Sequence, residues 1–439
     1  MSRAPLTFSA KSQRTPESPI SYYMEQAIQN PSLIGLAAGL VDTVTLPITP
    51  IADAIAKILA DPRAGTAALQ YGTTQGYLPL REKILNHVCT LDGVRPADLS
   101  LTPRDVVVTT GSQQLLYLLS EILLDSGDIV ITEAPSYFVY HSVLASGDVR
   151  VLTVPMDEEG MRTDELATLL DRLDRAGELP RVKLIYVVDY FQNPSGRTLS
   201  PERRKSLMEI VRRYQDRQRI LVLEDAAYRE LRFEGDDWAS IKSLDTANEF
   251  VIYAGTFSKP CAPGLKTGYA LIPSPLLDPL MRVKGNHDFG SNNLSQHIIN
   301  ALLENGAYHE HVLYLANVYR RKRQAMFAAL EREFGHEPGM TWTKPRGGLF
   351  VWLSFPRDVD AGPKGRLLDR AIREGVVYVP GEFGHVGQAG QKPTHEARLS
   401  YGDASVEQIA EGIRRLRTAF DAVRTPSPRT SELEQSVLV

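Results

Sequence analysis

The sequence predicts an α/β protein, with a mostly parallel sheet covered on both faces by helices and a smaller α+β part toward the C-terminus. Two observations carry this. Short apolar β-type runs alternate with amphipathic segments through the middle of the 439-residue chain, as strands joined by crossover helices do. Glycine turns, an Asn-Pro turn and an acid stand at the ends of those runs, the edge where such sheets place ligands.

In chain order, strands are expected at 106–109, 129–132, 184–188, 220–223, 251–254 and 269–272. Helical patterns lie between several of them, at 114–124 and 201–215. Ser200 suits an N-cap, with Pro201 at the first helical position. A long helix over about 308–334 leads to a strand at 348–353 and helices at 365–374 and 406–423. The expected division is an extension (1–34), a segment packing with the small domain (35–65), a large domain (66–310), a small domain (311–424) and a disordered tail (425–439).

Apolar content of 43% and charged content of 23% are those of a globular protein in water. A net charge of −4 gives no general electrostatic reason to bind nucleic acid or an anionic membrane. No apolar run approaches the ~20 residues that span a bilayer. Residues 1–19 lack the apolar core of a signal peptide. With only Cys89 and Cys261, no disulfide framework is expected, and a cytoplasmic location fits. Cys261 reads as a small filler in a tight loop rather than a nucleophile.

The chemistry centres on Lys259, in Ser258-Lys259-Pro260-Cys261-Ala262-Pro263-Gly264-Leu265-Lys266-Thr267-Gly268. It follows the apolar run at 251–254, and a lysine presented this way can form a Schiff base with an aldehyde cofactor. Gly111-Ser112-Gln113-Gln114 reads as a turn opening a helix, whose free N–H groups and dipole suit a phosphate. Alone it is an ordinary turn, but Ser258 and Lys266 can close the same anion site. Asp225 ends a buried-type strand, where a carboxylate can keep a pyridine nitrogen protonated. Asn193, in Phe191-Gln192-Asn193-Pro194, and Tyr228 can donate to the cofactor's phenolate oxygen. Tyr137 follows a strand and can stack on the ring. Arg398 offers a planar fork for a substrate α-carboxylate. His309 and His311 do not make a metal site, because two-residue spacing on a helix turns the rings to different faces.

Together these pieces resemble fold-type I pyridoxal-phosphate enzymes of the class I/II aminotransferase group, and within it the α-aminoadipate/kynurenine branch. The similarity runs from about Gly35 to about Phe420. The resemblance implies a large cofactor-binding domain with a seven-stranded sheet, and a small domain formed by the C-terminal part and the N-terminal segment. It implies catalytic roles for Lys259, Asp225 and Tyr228. Gly111, Ser112, Gln113, Tyr137, Asn193, Asp225, Tyr228, Ser258, Lys259 and Lys266 would bind pyridoxal 5′-phosphate. Arg398, Gly39 and Asn193 would bind an amino-acid substrate. Leu69-Gln70-Tyr71-Gly72 matches the family's tyrosine segment, so Tyr71 would reach the neighbouring subunit's cofactor in a homodimer.

The chain departs from the family pattern in several places. Lys266 stands where arginine is usual, Asp189-Tyr190 where Pro-Asn is usual, and Leu40-Val41-Asp42-Thr43 where Leu-Pro-Asp-Pro is usual. His395 replaces an asparagine, and the segment around His287 is unfamiliar. Asp189, Tyr190, His287 and His395 are therefore candidates for extra acid–base groups. Transamination through Lys259 is the expected reaction. The alternative is a Cβ/Cγ elimination–substitution, cyclisation or oxidative reaction on an amino acid. Arg232, Arg346 and the loop 382–391 are open candidates for contact with the substrate side chain.

Overall fold

The structure is a computed structural model describing residues 6–17, 30, 32–388 and 390–424. The tail expected at 425–439, and parts of the extension 1–34, lie outside the described residues.

A first short strand, β1 (Ile34–Gly35), precedes the large sheet. That sheet holds β2 (Val106–Thr109), β3 (Ile129–Ala134), β4 (Arg150–Asp157), β5 (Gly160–Met161), β6 (Val182–Val187), β7 (Leu221–Asp225), β8 (Val251–Thr256) and β9 (Gly268–Leu271). Across the sheet the order is β2-β9-β8-β7-β6-β3-β4-β5. β4, β3, β6, β7 and β8 run parallel, while β9 runs antiparallel to β8 and β2. The sheet is mostly parallel, as expected, with an eighth strand because the two-residue β5 turns back on β4. β4 went unpredicted because Arg150, Thr153 and Pro155 are exposed, so no apolar run marks it.

Both faces of the sheet are covered. Val130, Leu184, Tyr186, Leu223 and Ile252 join one apolar core with the helix Gly111–Leu123. Their neighbours Ile131, Ile185, Val222 and Val251 join a second core with the helices Thr163–Arg175 and Pro201–Tyr214. This alternation is the two-residue period of a strand buried on both sides.

A smaller antiparallel sheet is built from β10 (Thr341–Trp342), β11 (Phe350–Ser354), β13 (Val379–Pro380) and β14 (Glu396–Ser400), in the order β10-β11-β14-β13. β1 pairs in parallel with β12 (Val376–Val377). Just beyond β1, Leu36 bonds Val377 and Ser400 through its backbone at 3.0 and 2.8 Å. This anchoring carries residues 37–40 to the carboxyl edge of the large sheet. β3, β6, β7 and β8 all end at that edge, followed by Tyr137, Asn193, the terminal Asp225 and Lys259. Such an edge is where open α/β sheets bind ligands.

Candidate active site

One cavity of about 320 Å³ gathers Gly39, Gly111, Ser112, Gln113, Tyr137, Asn193, Asp225, Tyr228, Ser258, Lys259, Lys266 and Arg398. Of the residues that the resemblance assigns to cofactor or substrate, Tyr71 lies outside it and is 82% exposed.

At one end the helix Gly111–Leu123 opens without a side-chain cap, so its first N–H groups are available to an anion. The Gln114 side chain accepts from the Thr110 N–H at 2.8 Å and fixes the turn. Gly111 has φ +72°, the left-handed region that glycine enters without penalty. A Cβ at Gly268 would lie 2.5 Å from the Gly111 carbonyl carbon and 2.6 Å from the Ser112 nitrogen. Glycine there lets β9 run directly beneath the turn. Beside it, on the strand paired with Gly268, Thr256 donates to the Ser258 hydroxyl at 3.0 Å.

Asp225 lies at the floor. Tyr186 donates to its Oδ2 at 2.9 Å, while Oδ1 is buried with no hydrogen-bond partner among the described residues. The register sets Tyr186 opposite Leu223, so Tyr186 and Asp225 share one face of the sheet. Burial pushes the Asp225 carboxyl up to about 6, against the pull of the Tyr186 hydrogen bond. A buried acid with one open oxygen fits a cationic ring N–H. Tyr137 donates weakly to Gln113 at 3.4 Å, and burial pushes its phenol up to about 12. Burial likewise raises Tyr228, whose ring meets Phe350 edge-on at 5.6 Å.

Arg398, on β14, is held from two sides. It donates to Asn193 Oδ1 at 2.7 Å and to the Ala37 carbonyl at 2.6 Å. Its guanidinium lies 4.3 Å from the Phe350 ring centre, and its Nε has no partner among the described residues. Burial lowers it to about 10. Lys259 donates from Nζ to the Gly39 carbonyl at 2.8 Å. Burial, and then the positive charge of Arg398, bring its amine down to about 8.

The sequence profile of class I and II aminotransferases matches residues 31–416. The chain belongs to the class I and II aminotransferases. It is 37% identical over 394 residues to a 2-aminoadipate transaminase of Thermus thermophilus, covering 89% of this chain and 91% of that one. It is 34% identical over 392 residues to aromatic-amino-acid aminotransferase 1 of Thermococcus litoralis, covering 89% and 88%. Its fold is similar to the crystal structure of a Pyrococcus horikoshii kynurenine aminotransferase with PMP, with TM-score 0.86, 33% identity and coverage of 95% and 97%. This class I/II aminotransferase is a pyridoxal-phosphate-dependent enzyme acting on amino acids.

Of the residues in the unusual segments of this aminotransferase, Leu40 and Lys266 line the cavity, whereas Asp189, Tyr190, His287 and His395 do not. Asp189 is fully buried and pairs with Arg204, which also bonds the Asp189 and Leu199 carbonyls. Tyr190 donates to the Trp238 carbonyl at 2.7 Å, with Arg204 4.2 Å from its ring centre. Neither is an extra acid–base group of the site; both anchor the base of the loop that carries Asn193. His287 is exposed and contacts Gln114 at 3.1 Å, and His395 bonds Phe355 through its backbone carbonyl. Arg232 and Arg346 line a separate cavity with Tyr190 and Trp238. Among the described residues, none of the loop 382–391 lines this cavity; its Gly384 carbonyl accepts from the Ser136 N–H at 2.8 Å. Among the described residues, no group of three or more His, Cys, Asp or Glu is arranged to hold a metal.

Reading the sequence missed Val139, Val188 and Phe350 as cavity walls, and Tyr186 as the partner of Asp225. Val188 carries a usable signal, since it is the first residue past β6 at the ligand edge. Phe350 carries none, because only the meeting of the two sheets brings it to the site.

Proposed function

We propose that this chain transfers the α-amino group of an amino acid, with Lys259 holding the cofactor and carrying the proton. One observation carries the reading: the Lys259 amine, the open Asp225 oxygen and the Arg398 guanidinium line a single cavity. When bound, pyridoxal phosphate supplies an aldehyde that takes the amine and a ring that accepts the electron pair left by a departing Cα proton.

The N–H groups of Gly111, Ser112 and Gln113, with Ser258 and Lys266, hold the phosphate. Asp225 keeps the ring nitrogen protonated through Oδ1, and Tyr186 fixes Asp225. Asn193 and Tyr228 would donate to the ring oxygen, and Tyr137 would stack on the ring. Arg398 binds the α-carboxylate with its fork, oriented by Asn193 and Ala37. Lys259 Nζ removes the Cα proton and returns it. An amine brought to about 8 keeps a neutral, basic fraction near pH 7. The Gly39 carbonyl orients Nζ.

Incubating the holoenzyme with an amino acid and no acceptor should release one equivalent of keto acid per subunit and no ammonia. Ammonia, or a fragment cleaved at Cβ or Cγ, would favour the elimination–substitution reading instead.

The same proposal makes the enzyme a homodimer in which Tyr71 reaches the neighbouring subunit's cofactor. Supporting it, Tyr71 is exposed, does not line its own chain's cavity and stands edge-on to the exposed Phe289 at 5.6 Å. Tyr71→Ala and Lys259→Ala subunits, each impaired alone, should regain activity on mixing, because one site of the hybrid is intact. No regain would remove Tyr71 from the shared site. The division into a cofactor-holding part (66–310) and a small part (311–424, with 35–65 beside it) belongs to this proposal, supported by the two sheets. So does a cytoplasmic location, supported by two buried free thiols.

A further inference from the structure

We propose that Asp288 is a positioning residue for the cofactor's phosphate, acting through the side chain of Gln114. The proposal rests on the reading that the turn at Gly111, Ser112 and Gln113 holds that phosphate.

Gln114 is buried in the first turn of the helix Gly111–Leu123. Its Oε1 accepts from the Thr110 N–H at 2.8 Å, and so holds the residue just before the turn. A primary amide can be turned over, which would set its NH2 against that N–H, donor against donor. What prevents this lies 174 residues away in the chain, where Asp288 Oδ2 accepts from Gln114 Nε2 at 2.7 Å. An ionised carboxylate only accepts, so it admits the NH2 end of the amide and rejects the oxygen. Asp288 thus fixes which way Gln114 faces, and through it the Thr110 N–H. His287 Nδ1, 3.1 Å from the same nitrogen, takes the second N–H when the ring proton is on Nε2.

Asp288 is itself held. Lys284, one turn earlier on the helix Leu277–Asp288, is fully buried and donates to Oδ1 and Oδ2 at 2.9 and 3.0 Å. A buried ammonium needs an anion beside it, and Asp288 is the one it pairs with. Within the turn, the Thr109 hydroxyl donates to the Gly111 carbonyl at 2.9 Å. That hydroxyl rotates to suit its acceptor, whereas the Gln114 amide has two ends and needs a second element to choose between them. The segment around His287, unfamiliar in sequence, thereby acquires a use: Lys284 and Asp288 set the geometry of a turn on another helix.

Three variants follow from this pattern. Asp288→Asn has no good arrangement. With its oxygen toward Gln114, its NH2 faces the Lys284 ammonium; with its oxygen toward Lys284, its NH2 drives Gln114 to turn over. Gln114→Glu sets two carboxylates at the 2.7 Å contact. The exchange of both, Gln114→Glu with Asp288→Asn, restores the pattern. The new carboxylate accepts from the Thr110 N–H and from the asparagine NH2, and the asparagine oxygen accepts from Lys284.

The test is titration of the full-length protein, freed of cofactor, with pyridoxal 5′-phosphate and with pyridoxal, which lacks the phosphate. Dissociation constants are read from the absorbance of the bound ligand. Each single variant should weaken pyridoxal 5′-phosphate by about tenfold and pyridoxal by less than about threefold, and the exchange should return the phosphate form to within about threefold of wild type. No weakening, or equal weakening of both ligands, would overturn the proposal. Should a single variant fail to fold, the exchange decides: near wild-type affinity for pyridoxal 5′-phosphate supports the proposal, and an exchange that is weakened like the singles, or unfolded, overturns it. Wild type binding pyridoxal as tightly as pyridoxal 5′-phosphate would instead remove the phosphate from the turn, and the proposal with it.

Discussion

Glu224 and Asp225 are consecutive acids at the end of β7, and the pleat sends them to opposite faces of the large sheet. Both are buried, and burial raises both carboxyls. Their surroundings differ. Glu224 accepts from the Ile241 and Lys242 N–H groups at 2.7 and 2.8 Å, and lies 3.6 Å from Arg204, the partner of Asp189. On Asp225, Tyr186 donates to Oδ2, while Oδ1 has no hydrogen-bond partner among the described residues. The difference separates two uses of a buried acid. A saturated carboxyl ties elements together, here β7 to the backbone at Ile241 and Lys242. An unsaturated one waits for a ligand.

The strongest way to break this comparison lies on the Glu224 side. Glu224 and Asp189 are both buried and face the one guanidinium of Arg204, and burial raises both carboxyls, so we expect one of the two to carry a proton. Either single variant, Asp189→Asn or Glu224→Gln, leaves one carboxylate for Arg204 and should cost about 1 kcal/mol. The double variant strands a buried cation and should cost about 3–5 kcal/mol. Denaturant titration of all three checks this, and additive losses would refute the shared proton.

On the Asp225 side, Asp225→Asn should lower kcat/KM by roughly a hundredfold, about 2.7 kcal/mol, while the protein stays folded. Its stability should move the other way. Between pH 3.8 and about 6 the native Asp225 holds more protons than the unfolded one. Its burial cost is therefore full above pH 6 and fades as pH falls toward 3.8. The cofactor-free variant should melt above the cofactor-free wild type at pH 7.5, with a narrower gap at pH 4.5. An equal or lower melting point at pH 7.5 would mean that Asp225 is not strained by burial.

The smallest effect is expected at Tyr190. Tyr190→Phe loses the bond to the Trp238 carbonyl, costing about 1 kcal/mol, with activity within about twofold. A larger loss of activity would return Tyr190 to the chemistry.

The same contrast explains what the sequence could reveal. Asp225, Asn193, Lys259 and the Gly111 turn were legible because a parallel sheet delivers the residues just past its strands to one edge. Asp189 and Tyr190 follow a strand too, and so were read as site residues. Their true partner is Arg204, on the helix Pro201–Tyr214, and nothing local announces that pairing. β4 was missed because half its surface is polar, and Phe350 because it reaches the cavity from the second sheet. Patterns local to one element could be read, whereas contacts between elements could not.

The central claim is that Lys259 is the lysine joined to the cofactor. Borohydride reduction of the holoenzyme, followed by digestion and peptide mass spectrometry, tests it directly. The account predicts a single phosphopyridoxyl adduct, on Lys259. An adduct on another lysine, or none, would contradict it.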